Sequence, residues 1–393
     1  MGQDLSKLTI LYVTHSLTSS PKDEWVEFLK TRCKKLIYID HPFSYKKGDI
    51  SSSITIFEEG IEIKRHCVPF SRKLSDIFFY IKDVFLNIFW TLLSGRIDLC
   101  ISLDPLNTFS LLIFRKIGLI KRLIFYVIDY VPVRFPNKLK NFIYHFIDRQ
   151  CCYQVDYIWN LSSRMQEGRK QKGINLSRCA PSHIVPMGVD LSRINPLPIE
   201  KIERNTIVYM GAFLHKQGIQ LVLSVLPEVR QKIPNIKFII IGIGEYESEI
   251  RRLIRDLNIE ESVEIKGYIK EHTELEKILC KCAIGMATYR TDEDSFSYYA
   301  DPGKVKVYLG CGLPVIITKF PLIAYEIERE NAGFAIQYDE IQLKESLIRL
   351  LSDDNLYAIM RNNAVKLSKR YNWYNICKRA LEVSGYSIKE KVS

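Results

Sequence analysis

A lysine stands at an unusual position, at the start of a predicted helix. The run Asp301-Pro302-Gly303-Lys304 directly precedes that helix, at about 303–310, and a buried strand follows it. A cation in the first turn is unfavourable for the helix dipole unless an anion binds there. Lys304 therefore indicates a phosphate-binding turn. Asp301 is suited to the same site or to capping the helix, and these two roles are compatible.

Three more turns with glycine follow predicted strands in the second half of the chain. They contain Gly211 with Lys216 nearby, then Gly242 and Gly244, then Gly267 followed by Tyr268. Backbone N–H groups at such turns bind phosphate oxygens, although a single glycine turn more often has a purely geometric cause. Because all four turns fall at the same edge of one predicted sheet, together they favour a ligand site.

Both halves of the chain alternate short β-branched runs with helical periodicity, which predicts parallel sheets covered by helices on both faces. In the first half the predicted strands are 8–14, 35–40, 61–69, 98–104, 122–129, 155–162 and 183–190. In the second half they are 206–213, 236–244, 263–269, 282–289, 313–319 and 333–339. The predicted fold class is α/β, with two doubly wound Rossmann-like domains facing across a cleft at their carboxyl strand edges.

The domain boundaries are predicted from a proline-containing segment between the two halves. At 393 residues the chain is too long for one ordinary core. Residues 1–190 are predicted to form the first domain, 191–205 a linker and 206–372 the second domain. Residues 373–393 are predicted to form a C-terminal helix that can cross back to the first domain.

The positive charge of the chain is concentrated in its first half. Residues 1–190 contain 27 Lys and Arg against 18 Asp and Glu, whereas the remainder contains 29 against 27. Such an excess of positive charge is typical of proteins that contact nucleic acid, an anionic membrane or a phosphorylated acceptor. A solvated basic face without a partner is the alternative. Because the sequence contains no nucleic-acid-binding motif, no nucleic acid partner is expected.

Two apolar runs bear on targeting. The N-terminal run is interpreted as a first buried strand rather than a secretory signal. No apolar run is expected to reach the roughly 18 residues of a spanning helix, because the nearest, 76–93, is interrupted by Lys82 and Asp83.

A series of motifs runs in order over about 183–376: HIVPMGVD, YMGAF, FIIIGIGEYESEI, VEIKGYI, CAIGMATY, DPGKVKVYLGCGLPVIIT, NAGFAI and YNWYNICKRAL. In order and spacing, this series resembles the donor-binding domain of retaining glycosyltransferases with the GT-B fold. That large family includes many bacterial polysaccharide and glycolipid enzymes. The first half is similar to the acceptor domains of this superfamily in architecture only.

The resemblance implies transfer of a hexose-type sugar, with retention, from a nucleotide-sugar to a lipid-linked or saccharide acceptor in polysaccharide or cell-envelope assembly. It implies front-face attack, in which the leaving phosphate helps to take the acceptor proton. The turn after YMGAF would contact the diphosphate, and the turn at Tyr268 would meet the base. No metal or other cofactor is expected, because lysine, backbone amides and a helix N-terminus neutralise the diphosphate.

The sequence departs from the family pattern at its acidic positions. The family's ribose-binding Glu and its partner eight residues earlier correspond to Val307 and Tyr299, and the lysine of the phosphate turn corresponds to Gln217. Asp301 and Lys304 are predicted to take over the missing functions as catalytic residues, with Lys304 on the diphosphate. The predicted donor-binding residues are Gly211, Lys216, Gln217, Gly242, Gly244, Tyr268, Tyr299, Pro302 and Gly303. The alternative is an impaired site in a non-catalytic relative.

Polar residues end three predicted strands of the first half. Asp129 is predicted to act near the acceptor hydroxyl or the donor sugar, because an acid at the end of an apolar strand is costly unless it has a use. His15 and Asp104 are further acceptor-side residues. A helix or loop cap is the alternative for Asp129, and a simple hydrogen bond at the sheet edge is the alternative for His15.

The aromatic residues of the helix at 75–94 exceed a single apolar stripe. Phe78, Phe79, Phe85, Phe89 and Trp90, together with the local positive charge, would suit shallow insertion beside anionic lipid. A protein core explains the same residues. The expected location is the cytoplasm, at the inner face of the membrane.

Two rival functions share the predicted fold, and a third, a basic nucleic-acid-binding protein, has only the positive charge in its favour. A nucleotide-sugar epimerase or hydrolase would turn over its substrate without an acceptor. A non-catalytic GT-B relative would not turn over the substrate at all.

Overall fold

The structure is a computed structural model, which describes residues 2–16, 21–43, 51–70, 76–291 and 296–388. The chain divides into two compact units. The first comprises the residues up to Pro186 together with the chain from Tyr374 onward, and the second comprises Met187–Trp373. The predicted linker, 191–205, lies in the second unit. Of the predicted C-terminal segment, residues 389–393 lie outside the described residues.

The first unit is built on one large sheet with helices between its strands. Up to Pro186 its strands are β1 (Gln3–Asp4), β2 (Thr9–Ser16), β3 (Lys35–Pro42), β4 (Ser52–Glu58), β5 (Ile61–Val68), β6 (Leu99–Leu103), β7 (Leu123–Val127), β8 (Tyr157–Asn160) and β9 (Ser182–Ile184). Its helices are α1 (Lys22–Lys30), α2 (Asp76–Ser94), α3 (Pro105–Lys116), α4 (Lys138–Gln154) and α5 (Arg164–Gln171).

The strand order of this sheet is β5-β4-β3-β2-β6-β7-β8-β9. The direction of the connections reverses between β2 and β6, which makes their carboxyl ends the switch point where doubly wound sheets bind ligands. The prediction of an entirely parallel sheet was wrong at one edge, because β4 pairs antiparallel with both β3 and β5. The chain reverses at Glu59-Gly60, where both residues have positive φ, as a two-residue hairpin requires.

The second unit has a six-stranded sheet. Its strands are β10 (Thr206–Met210), β11 (Lys237–Ile241), β12 (Val263–Gly267), β13 (Ile284–Ala287), β14 (Val315–Thr318) and β15 (Gly333–Ile336). Its helices are α6 (Ile219–Lys232), α7 (Glu247–Asp256), α8 (His272–Leu279), α9 (Phe296–Tyr299), α10 (Gly303–Gly310), α11 (Ile323–Arg329), α12 (Glu340–Ser352) and α13 (Asp354–Ser368).

All strand pairs of the second sheet are parallel, in the order β12-β11-β10-β13-β14-β15. Alternate residues of β10 enter different cores, since Ile207 and Tyr209 pack in one apolar cluster and Val208 packs in the other. A strand with helices on both faces has no solvated side, which explains why its sequence is apolar throughout. The switch point lies between β10 and β13.

The end of the chain completes the first unit. Helix α14 (Trp373–Val383) is followed by β16 (Tyr386–Ser387), which pairs with β1 in parallel. The indole N–H of Trp159 donates to the hydroxyl of Ser384 at 3.0 Å. The described C-terminal residues are therefore tied to the core of this unit.

Helix α2 contradicts the expectation that no apolar run is long enough to span a membrane. Over Ile77–Ser94 it is long and apolar enough to cross a membrane by length and composition, a test that core helices of folded domains also pass. Asp83 and Asn87 on its inner side are buried and bond to histidines of the sheet, Asp83 to His15 at 3.1 Å and Asn87 to His41 at 2.9 Å. These polar bonds make α2 an integral layer of the first unit.

Candidate functional site

The carboxyl edge of the second sheet brings the predicted glycine turns side by side. Gly211, after β10, donates its N–H to the carbonyl of Ile241 at 2.9 Å. Gly242, after β11, donates its N–H to the carbonyl of Gly267 at 2.9 Å. Gly211 and Gly242 have φ angles of 144° and 145°, which favour glycine. The turns lie next to the switch point, where a ligand is expected.

Gly242→Ala is expected to destabilise the second unit, because a β-carbon there would lie 1.9 Å from the carbonyl oxygen of Gly211. The backbone must shift to relieve this clash, and the positive φ of Gly242 is itself unfavourable for alanine. We therefore expect a loss of about 2 kcal/mol or more in the free energy of unfolding. Gly267→Ala is the matched control, since Gly267 also has a positive φ but no described atom within 4 Å of its β-carbon position. Denaturant unfolding compares the two variants, and equal losses would contradict the close packing of the turns.

A short turn carries the chain from β10 to α6. His215–Gln217 form one turn of 3-10 helix, and Gly218 then adopts a left-handed conformation with a φ of 76°. The hydroxyl of Thr288, after β13, donates to the carbonyl of Gly218 at 2.8 Å. This contact fixes the turn across the switch point, with α6 beginning directly behind it at Ile219.

The structure brings Lys304, the second residue of α10, to this turn. Its Nζ donates to the side-chain carbonyl of Gln217 at 2.7 Å. The same Nζ lies against the backbone of Gly211, where a β-carbon would be only 3.0 Å away. Lys304 therefore meets the predicted donor-site residues Gly211 and Gln217, the latter 87 positions earlier in the chain.

The ammonium of Lys304 is enclosed by two aromatic rings. Its Nζ is 4.2 Å from the ring centroid of Tyr209 and 5.1 Å from that of Tyr289. Burial lowers the pKa of Lys304 to about 7, and no carboxylate among the described residues offsets that effect. A cation held without a counter-ion at a sheet edge is suited to an anionic ligand.

Asp301 has protein partners on both oxygens. Its Oδ2 accepts the backbone N–H of Met187 at 2.7 Å, and its Oδ1 pairs with the ammonium of Lys306, which is fully buried. The helix-cap interpretation was wrong, because Pro302 occupies the N-cap position of α10 and the Asp301 carboxylate bonds Met187 and Lys306 instead. With both oxygens occupied, Asp301 is better described as a residue that positions α10 than as a free catalytic carboxylate.

The other predicted donor residues differ in accessibility. Tyr268 is 59% exposed directly after Gly267, whereas Tyr299 is buried and packs edge-on against Tyr298 at 5.0 Å. Pro302 and Gly303 begin α10, Lys216 lies in the 3-10 turn, and Gly244 lies against the backbone of Phe213. Tyr299 therefore faces the protein interior, while Tyr268 is open to a ligand.

The three polar residues predicted in the first unit line one small pocket. The pocket is formed by His15, Phe43, Leu103, Asp104, Pro105, Ile128, Asp129, Arg134 and Tyr144. His15 is the penultimate residue of β2 and Asp104 follows β6, so both stand at the switch point of the first sheet. Asp104 also caps α3, accepting the N–H of Asn107 at 3.1 Å with a positive φ of 62°.

His15 is held between two carboxylates. Its Nδ1 donates to Asp104 at 2.5 Å and its Nε2 donates to Asp83 at 3.1 Å. Burial alone would lower the pKa of His15, but the two carboxylates outweigh it and raise the pKa to about 10. For Asp83, bonds to His15 and His41 outweigh burial and lower the pKa of the carboxyl. His15 is thus a cation at neutral pH, with both ring nitrogens occupied, and is not a free base.

Asp129 offers one unoccupied oxygen in this pocket. Its Oδ2 pairs with the guanidinium of Arg134, while its Oδ1 is buried without a hydrogen-bond partner in the described part of the chain. A buried carboxylate oxygen without a donor is costly unless a ligand supplies one. This observation favours a polar ligand at Asp129.

Several residues of these sites could not be recognised in the sequence. Tyr209 and Tyr289 resemble ordinary strand-end residues, and nothing in their spacing predicts that they enclose Lys304. Nothing around Lys306 indicates that its side chain is buried. Only Asp83 could have been recognised in the sequence, because an isolated acid within an apolar helix needs a buried partner.

The second unit matches a known family. Residues 198–367 match the model of the glycosyl transferases group 1. Among solved structures, the chain is similar to HepE of Anabaena in complex with UDP, with a TM-score of 0.68 and 14% identity over 96% of this chain and 99% of that one. It is also similar to sucrose-phosphate synthase of Thermosynechococcus elongatus, with a TM-score of 0.72 and 14% identity over 96% and 98%. The fold is the GT-B fold of glycosyltransferases.

Curated relatives agree with this family at low identity. WcaL of Escherichia coli K12, by its name a putative colanic acid biosynthesis glycosyltransferase, is 24% identical over 53% of this chain and 52% of its own length. The chitobiosyldiphosphodolichol beta-mannosyltransferase of Debaryomyces hansenii is 25% identical over 45% of this chain and 40% of its own length. The chain thus spans about half or less of these curated relatives. Both relatives are glycosyltransferases by their names.

Proposed function

We propose that this GT-B protein transfers a hexose-type sugar from a nucleotide-sugar to a lipid-linked or saccharide acceptor, with retention and without a metal ion. The observation that carries the proposal is the ammonium of Lys304. It lies at the switch point of the second sheet, beside the Gly211 turn, without a carboxylate partner among the described residues. A diphosphate supplies the missing negative charge.

On the donor side, Lys304 and the start of α10 would neutralise the diphosphate. The Gly211 turn offers backbone groups next to the ammonium, and Gln217 orients it through the 2.7 Å bond. Positioned donors of this kind stabilise the charge that develops on a leaving phosphate. Tyr268, exposed at the neighbouring turn, is suited to stacking on the base. The complex of HepE with UDP-glucose supports a nucleotide-sugar as the donor.

On the acceptor side, the pocket of the first unit would bind a hydroxyl-bearing ligand. The Oδ1 of Asp129, which has no hydrogen-bond partner in the described part of the chain, would accept a hydrogen bond from an acceptor hydroxyl, while Arg134 pairs with the other oxygen. His15 is a cation at neutral pH and holds Asp104 rather than removing a proton. In a retaining reaction of this type the leaving phosphate takes the acceptor proton, so no protein base is required at His15.

Nucleotide affinity is expected to weaken as the pH rises through about 7, the pKa of Lys304 in the unliganded protein. Only the ammonium form attracts a diphosphate, so binding at higher pH must also take up a proton. The dissociation constant is then expected to rise about tenfold per pH unit. Calorimetric titration of a nucleoside diphosphate from about pH 7 to about pH 9 measures this slope. Lys304→Arg, which stays charged, should abolish the slope, and a flat profile for the wild type would contradict the assignment.

Turnover assays separate the proposed function from its rivals. The protein is incubated with a panel of nucleotide-sugars, with and without lipid-linked and saccharide acceptors, and released nucleoside diphosphate is measured. We expect release that requires an acceptor and persists in EDTA, with the anomeric configuration retained in the product by NMR. Equal turnover without any acceptor would indicate an epimerase or hydrolase. No turnover with any donor would indicate a non-catalytic relative.

A further inference from the structure

Three neighbouring helices of the first unit expose many large apolar side chains. Of the 28 exposed large apolar side chains among the described residues, fifteen lie on α2, on α4, and on α3 with the residue directly after it. Phe85 on α2 is 62% exposed, Ile113 on α3 is 53% exposed and Phe142 on α4 is 66% exposed. Single exposed apolar residues need no explanation, but a group of this size marks an interaction surface. We call these fifteen side chains the apolar face.

The apolar face is continuous across the three helices. On α3 it contains Phe109, Ile113 and Ile117, which recur every four residues and therefore lie on one side. On α4, Leu139, Phe142 and Phe146 form a similar stripe. Helix α3 packs directly against both α2 and α4. The stripes consequently lie side by side on the outside of one helical layer.

The exposed charges on these three helices, from Ile77 onward, have a single sign. From Ile77 to the end of α2, and throughout α3 and α4, the only acidic residues are Asp83 and Asp148, and both are buried. Asp148 is neutralised inside the unit by Arg169 at 2.8 Å. Basic residues stand at both ends of α4, among them Lys138 and Arg149. No acidic side chain of these segments therefore opposes contact with an anionic surface.

A basic groove adjoins the apolar face where α3 and α4 end. Lys116, Arg149 and Arg178 line it together with neutral polar residues, and no acid contributes. Lys116 directly precedes Ile117 of the apolar face, and the guanidinium of Arg149 lies 5.6 Å from the ring centroid of Phe146. Cations adjoining a Phe- and Ile-rich surface match the boundary between headgroups and acyl chains of a bilayer.

We propose that the first unit docks on an anionic lipid bilayer through the apolar face, with lipid phosphates in the basic groove. A protein partner is less suited to this surface, because lysine is depleted in protein interfaces and no acid of these helices is available for pairing. The inference deepens the proposed function, since it names the lipid surface at which an acceptor would be met. Asp83 and Asn87 keep α2 anchored in the unit, so the helix lies on the bilayer rather than crossing it.

Vesicle flotation of the full chain tests the proposal. With vesicles of phosphatidylglycerol and phosphatidylcholine in equal parts, we expect binding at least about tenfold stronger than to phosphatidylcholine alone. The triple variant Phe85→Glu, Ile113→Glu, Phe142→Glu should lose about tenfold or more of this affinity. The matched control is Ile61→Glu, Ile341→Glu, Ile359→Glu, at exposed apolar residues elsewhere, and it should bind like the wild type. Lys116→Glu with Arg149→Glu should abolish the preference for phosphatidylglycerol.

Three outcomes would overturn the proposal. In the first, the wild type does not float with the mixed vesicles. In the second, the apolar-face variant floats as well as the wild type does. In the third, the wild type is a dimer in analytical ultracentrifugation and the variant is a monomer. The last outcome would assign the apolar face to a second copy of the chain. Nucleotide-induced thermal shift is measured on the same samples. Vesicle binding without any nucleotide shift would reject the proposed function and leave the docking surface intact.

Discussion

Lys304→Met is expected to lower sugar transfer about 100- to 1000-fold and, at the same time, to raise the melting temperature of the unliganded protein. The loss of activity follows from removing the ammonium that would meet the diphosphate. The gain in stability follows because burial disfavours the charged form, as its pKa of about 7 indicates, and no carboxylate among the described residues compensates. Methionine keeps the length and apolar stem of lysine between Tyr209 and Tyr289.

The opposite signs of the two effects separate a ligand-binding residue from a structural one. Activity, nucleotide-induced thermal shift and the melting temperature without ligand are measured on the same preparation. Lys237→Met is the matched control, because Lys237 is exposed at the first residue of β11, at the opposite edge of the same sheet. It should change neither activity nor nucleotide binding. A Lys304→Met protein that melts lower and still binds nucleotide would assign Lys304 to the fold instead.

Asp83→Asn is expected to cost about 3–5 kcal/mol in the free energy of unfolding of the first unit. The fully buried carboxylate of Asp83 bonds His15 at 3.1 Å and lies 3.2 Å from His41 and 3.0 Å from the Lys82 ammonium. An amide would leave the His15 cation and the Lys82 ammonium without the counter-charge of Asp83. Asp354→Asn is the control, since Asp354 is 89% exposed in its pair with Arg204, and a change within about 1 kcal/mol is expected.

The pH dependence of this stability has two limits. The pKa of Asp83 is lowered on folding, so its contribution is present above its ordinary value and is lost as the pH falls. The pKa of His15 is raised from 6.5 to about 10, so its contribution is complete below 6.5 and is lost as the pH rises through about 10. The difference between wild type and Asp83→Asn should therefore be largest near neutral pH and shrink towards both extremes. A difference below about 0.5 kcal/mol at neutral pH would contradict the network.

The sequence was sufficient for those features that depend on local pattern. Apolar strands between helices predicted both sheets, and glycine after each strand predicted the turns that meet at Gly211 and Gly242. The helix start at 303 and the cation in its first turn predicted the place of Lys304. Each of these signals is confined to a few consecutive residues, so no knowledge of the tertiary structure is required to interpret it.

Features that depend on contacts between distant segments were not predictable in the same way. Asp301 was assigned to the ligand or the helix cap because its partners, Met187 and Lys306, become visible only when α10 packs against the chain near 187. The hairpin of β4 and β5 is a local feature that was nevertheless missed, although Gly60 between two β-branched runs is a signal of a two-residue turn. Tyr209 and Tyr289 meet Lys304 only through the order of strands in the sheet.

A crystal structure with a bound nucleoside diphosphate decides whether Lys304 binds the phosphates of the donor. The nucleotide that gives the largest thermal shift in a panel of nucleoside diphosphates is crystallised with the wild-type chain. We expect a phosphate oxygen within hydrogen-bond distance of the Lys304 Nζ, next to the Gly211 turn. Binding of the diphosphate elsewhere, for example in the basic groove of Lys116 and Arg149, with Lys304 still bonded only to Gln217, would contradict the account.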